Sequence, residues 1–144
     1  MRKRIAASLL AVVTLGSTLG LTLSAPMANA SVTAWASYTQ QPTAHAKAVY
    51  SYQWYSRNDN HGGFHIYGTL YDLLSGDTNN AKFKIKVEGY AWTTYAVKNT
   101  SATIPNLVWY DGAGIITTDA TTQTCEGKPL LDTCSQQVWY NPYH

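Results

Sequence analysis

The stretch Ala81-Lys82-Phe83-Lys84-Ile85-Lys86-Val87-Glu88 decides the fold. Apolar and charged residues alternate through all eight positions. A period of two puts Ala81, Phe83, Ile85 and Val87 on one side of an extended chain and Lys82, Lys84, Lys86 and Glu88 on the other. A helix would scatter both sets around its circumference. The run is therefore a half-buried strand, and its apolar side requires a second layer.

Reading outward, the same pattern recurs. Gly89 marks a bend, and residues 90–97 continue as a strand of Tyr, Trp and Thr. Upstream of the turn formers at 75–80, residues 64–71 place Phe64, Ile66, Gly68 and Leu70 inward and His65, Tyr67, Thr69 and Tyr71 outward. The dense turn 57–63 precedes them. Before it, residues 48–55 put Tyr50, Tyr52 and Trp54 on one side and Val49, Ser51, Gln53 and Tyr55 on the other. Residues 107–110 and 115–118 flank Asp111-Gly112-Ala113-Gly114 as a hairpin signal, and 137–140 form a last short strand. About seven strands and no helical period predict an all-β, small single-domain antiparallel β-sandwich, or a small β-barrel.

Residues 1–30 read as a secretory leader: basic Arg2-Lys3-Arg4, a broken apolar stretch, and Ala28-Asn29-Ala30 as the cleavage signal. Cleavage after Ala30 makes the protein secreted and extracellular, not membrane-embedded. Residues 31–47 lack a period and are expected as an extended or poorly ordered arm before the β-sandwich domain at 48–144. In an exported chain the cysteine pair Cys125 and Cys134 is expected as a disulfide closing a loop of about ten residues, worth roughly 2.5 kcal/mol.

Three of the ten Lys and Arg residues lie in the leader, so residues 31–144 carry seven bases against eight acids. That near-neutral balance excludes a polybasic footprint, and no nucleic-acid partner is expected. Leu, Ile, Val and Phe are scarce in the same span, 19 of 114 residues, so the five Trp and eleven Tyr must supply buried area instead. A thin two-layer body has room for only some of these rings, so others are expected to meet solvent. Trp54, Tyr55, Tyr67 and Tyr71 are the candidate ligand-binding residues. A pyranose stacks its apolar face on such rings, and the expected partner is a polysaccharide, with an extracellular protein as the alternative.

The alternative function is an exported inhibitor of a protease or glycosidase acting through the Cys125–Cys134 loop. There Lys128 would enter a trypsin-like pocket and Pro129 would resist cleavage. A small secreted toxin or bacteriocin is a third reading. Trp54-Tyr55-Ser56-Arg57 resembles, over these few residues, the Trp-Arg-Tyr triplet of the tendamistat-type α-amylase inhibitors. The order differs and that family's two disulfides have no counterpart, so no function is carried over.

The remaining polar features have plainer readings. Asn58-Asp59-Asn60-His61, with His65 beyond, has metal-ligating residue types, yet turns require the same residues, and no metal or cofactor is expected. Lys82, Lys84 and Lys86 would either grip an acidic polymer or, more simply, solvate a sheet face. Asn99-Thr100-Ser101 fits the N-glycosylation pattern. No catalytic motif occurs and no carboxylate pair stands out, so a non-catalytic monomer is expected.

Overall fold

The alternation at 81–88 is realised as strand β4 (Asn80–Val87), with Ala81, Phe83, Ile85 and Val87 buried and the lysines partly exposed. The computed structural model describes residues 33–113 and 116–142; the leader assigned to 1–30 lies outside them. Among the described residues the other strands are β1 (Ala36–Gln40), β2 (Ala46–Trp54), β3 (Phe64–Asp72), β5 (Thr93–Val97), β6 (Ser101–Trp109), β7 (Ala120–Gly127), β8 (Thr133–Cys134) and β9 (Val138–Tyr140). They form two antiparallel sheets. One has the order β1-β2-β3-β6; the other runs β5-β4-β7, with β8 and β9 pairing β7. The sandwich is thus the form adopted, not the barrel.

Inward residues of both sheets build one core, in which Tyr50, Phe64, Ile66, Leu70 and Ile104 face Phe83, Ile85 and Val87. Rings bridge the layers, with Tyr50 and Phe83 centroids 5.1 Å apart and Tyr52 and Tyr140 4.5 Å apart. Gly68 makes this possible. It stands opposite Tyr50, and a Cβ there would lie 2.6 Å from the Tyr50 Cβ and 2.3 Å from the Val49 carbonyl.

The layers also share a buried polar network. Tyr50 Oη lies 2.6 Å from Tyr140 Oη and 2.8 Å from Thr122 Oγ1, and Thr124 Oγ1 donates to Gln40 Oε1 at 3.0 Å. These partners satisfy phenols and hydroxyls that would be expensive to bury alone. Burial pushes the Tyr50 phenol up to about 12 and raises Tyr140 as well.

Two expectations change. Of the segment 31–47, residues 36–40 are built into the sheet as β1, which pairs with β2, residues 42–45 bend, and Gln40 is buried against β7. Residues 107–109 belong to the long strand β6, while 116–119 lie outside any strand, so the expected hairpin does not form there. Strand β7, which pairs with β4 on one side and with β8 and β9 on the other, has the sequence ATTQTCEG with no apolar alternation and is not among the strands expected from the sequence. The Cys125–Cys134 disulfide is present and joins β7 to β8.

Candidate functional site

The outer face of the β1-β2-β3-β6 sheet carries two of the exposed rings, Trp35 and Tyr67, in contact with each other, while Trp139, 64% exposed, lies on the other sheet. Two hydrogen bonds, Thr33 N to the Trp54 carbonyl (3.0 Å) and Trp54 N to Thr33 Oγ1 (2.8 Å), hold the chain entering β1 against the end of β2. Since Ala36 pairs with Tyr52, this register places Trp35 across from Gln53, which pairs in turn with His65. Trp35 therefore reaches over β2 onto β3. Its ring lies 4.9 Å from His65 and 4.8 Å from Tyr67, edge-on to the latter. Tyr55 stacks on the other side of His65 at 5.5 Å and 26°.

The result is one row, Tyr55–His65–Trp35–Tyr67. Trp35 is 44% exposed and Tyr67 41%, while Tyr55 and His65 are half-buried. Trp35 tilts by 59° against His65 and 73° against Tyr67, so the surface is stepped and not planar. Edge-to-face pairs of this kind contribute about 0.5–1.5 kcal/mol each and fix the rings in advance of any ligand.

Polar groups flank the row. Gln53 Nε2 lies 3.3 Å from His65 Nδ1, and His65 Nε2 is 2.5 Å from Asn106 Oδ1. With the Gln53 amide donating, His65 passes its own N–H to Asn106. The Ser37 and Ser51 hydroxyls meet at 3.0 Å, and Ser51 is opposite Tyr67. None of these eight side chains is a carboxylate, an ammonium or a guanidinium. Such a face can stack apolar ring surfaces and exchange hydrogen bonds with neutral hydroxyls; it offers little to a strongly charged ligand.

Of the residues picked from sequence, Tyr55 and Tyr67 lie in the row. Trp54 does not: it is 4% exposed and packs on Phe64 at 5.1 Å, because its position in β2 points inward. Tyr71 shares the outer face but stands four residues beyond Tyr67, roughly 13 Å along β3, beside Lys47 and Ser101. Trp35 and His65 were missed as ring partners. The available signal was Trp35 followed by Ser37 and Thr39 in alternation, which marks a strand edge.

The other candidates resolve differently. His61 stacks on Tyr110 at 5.6 Å, and Asp59 accepts from Ser56 Oγ at 2.6 Å, so the 57–63 segment is a turn. Asn60, His61 and Gly62 all have positive φ there. The lysines of β4 are engaged internally: Lys82 and Lys84 reach Asp132 at 2.8 and 3.2 Å, and Lys86 lies over Trp92 and Trp139 at 5.0 and 5.6 Å. Two of the three ammoniums share one carboxylate and the third lies over rings, an arrangement that fits the solvated-face reading of the stripe. The hydrogen bond from Lys82, with Lys84 adding to it, holds the Asp132 carboxyl below the usual carboxylate range.

Lys128 and Pro129 are exposed on the disulfide loop, but the Lys128 ammonium turns back to Glu126 Oε2 at 3.6 Å. The loop tip is Leu130 and Leu131, 99% and 80% exposed. A cleft of about 680 Å³ opens between the sheets beside Tyr52, Trp54, Asp119 and Trp139. Burial, with the Glu88 carboxylate nearby, raises the Asp119 carboxyl there. Asn99 is exposed, with Oδ1 accepting from Gly76 N at 3.0 Å. The chain matches no protein-family profile, and no curated protein or solved structure matches it.

Proposed function

We propose that the protein is an exported, non-catalytic recognition module that holds a neutral polysaccharide or cell-envelope glycan on the outer face of the β1-β2-β3-β6 sheet. The observation that carries this reading is the Tyr55–His65–Trp35–Tyr67 row, partly exposed, braced from beneath and bordered by amides and hydroxyls. Sugar rings present C–H faces to such aromatics while their hydroxyls bond Asn106, Ser37 and Ser51. The stepped tilt suits a polymer whose successive rings rotate against one another. Affinity electrophoresis and calorimetry across a panel of neutral cell-wall and plant polysaccharides test it. Binding to at least one that is lost in Trp35→Ala supports the reading; no binding across the panel, or binding indifferent to Trp35, defeats it.

A second reading, an exported antagonist of another protein, draws on the disulfide loop. Leu130 and Leu131 project from a covalently closed loop, the arrangement that places apolar anchors in a partner's pocket at low entropic cost. On this reading the anchors are the leucines and not Lys128. Inhibition of a protease or glycosidase that survives Lys128→Ala but not Leu130→Ala would favour it.

A further inference from the structure

At one end of the sandwich, three residues from different segments converge. His45 immediately precedes β2, with its N–H bonded to Thr43 Oγ1 at 3.1 Å and its carbonyl accepting from Leu73 N at 2.7 Å. Asp77 lies in the turn before β4, its Oδ1 capping Asn79 N at 3.1 Å. Glu126 is the inward-facing residue near the end of β7, opposite the small Ala81, and is 3% exposed. One ligating atom from each of His45, Asp77 and Glu126 lies within 4.8 Å of the others.

We propose that these three residues form a binding site for a divalent cation of the zinc type. The His45 Nδ1 to Glu126 Oε1 separation is 3.1 Å. Two ligands on one tetrahedral ion, with bonds of about 2.0–2.2 Å, stand about 3.3–3.6 Å apart, so this pair is already near its metal-bound spacing. Asp77, on a turn, offers a carboxylate oxygen within 4.8 Å of both as the third member of the set. One imidazole with two carboxylates is a donor set that zinc accepts, whereas calcium takes oxygen ligands throughout.

Charge points the same way. A carboxylate as buried as Glu126 needs compensation, and a second carboxylate beside it increases the need. The Lys128 ammonium, 3.6 Å from Oε2, supplies the nearest full positive charge and sits on a half-exposed side chain free to swing outward. Asn79 Nδ2 donates to the same Oε1 at 2.8 Å and fixes the orientation of the carboxylate. The other group with ligand spacing among the described residues, Cys125, Asp132 and Cys134, has both sulfurs in the disulfide and so has no thiolate to offer.

A bound ion would tie together the β1–β2 connection, the turn before β4 and the root of the disulfide loop. The test is calorimetric titration of the chelator-treated full chain with Zn²⁺ alone, with Co²⁺ absorption reporting coordination geometry. Saturable 1:1 binding and a metal-dependent rise in Tm are expected. His45→Gln and Asp77→Asn should each weaken binding at least about tenfold; Asp77→Asn keeps the Oδ1 cap on Asn79 and should leave the metal-free Tm unchanged, whereas His45→Gln removes a partner of the buried Glu126 and should lower it. His61→Gln should leave affinity as it is. Absence of saturable binding, or binding that persists in both variants, or that depends on His61, overturns the proposal. The readout is independent of any glycan.

Discussion

The two outer sheet faces obey the same alternation and end in opposite conditions. On the β5-β4-β7 sheet the outward charges have internal partners: Lys82 and Lys84 clasp Asp132 of the disulfide loop, and Lys86 rests on Trp92 and Trp139. On the β1-β2-β3-β6 sheet the outward rings pack edge to edge and still leave Trp35 and Tyr67 substantially open. A charged stripe attracts the chain's own opposite charges, and once paired it has little left for a partner. A row of neutral rings has no such internal claimant, so it stays available for contact.

The comparison breaks most heavily at the disulfide. Replacing Cys125 and Cys134 together by Ser should cost about 2.5 kcal/mol, a fall in Tm of about 10 °C in thermal unfolding, by freeing the loop that covers the lysine face. Glycan affinity of the folded protein, on the opposite sheet, should stay within about twofold. The converse substitution, Trp35→Ala, should lower glycan affinity about tenfold or more in calorimetry, with a Tm fall of several degrees from its two lost ring contacts, whereas Trp139→Ala on the lysine face should leave affinity unchanged.

Acid provides a smaller effect confined to one face. The folded Asp132 carboxyl is held below its unfolded value, so its contribution is present above that value and is lost as pH falls through the depressed one. Urea midpoints should show wild type ahead of Asp132→Asn at neutral pH, with the gap closing in strong acid. Because the pair is partly exposed, the gap should be below about 1 kcal/mol. Smallest of all, glycan affinity should move less than about threefold between 0.05 and 0.5 M salt, since the ring row carries no charge. Tyr71→Ala should change it equally little, marking the end of the row.

Strand β7 and Trp35 show where legibility stopped. In ATTQTCEG the inward positions are Ala120, Thr122, Thr124 and Glu126, so no apolar alternation announces a strand. The threonines are tolerated inside because Gln40 bonds Thr124, and Tyr50 and Tyr140 bond Thr122, across 18 to 84 residues of chain. Their β-branched side chains were the one local sign of a strand. Trp35 was likewise assigned to an arm, because pairing with β2 is a long-range event.

Sequence alone determined the strands whose two sides differ in polarity, β2, β3 and β4, together with the all-β class and the cysteine pair. In these the period of two specifies which side is buried without reference to any neighbour. Tertiary structure decided which outward residues remain available. Whether a lysine or a ring meets solvent depends on what crosses above it, and Asp132, Trp139 and Trp35 each arrive from a distant part of the chain.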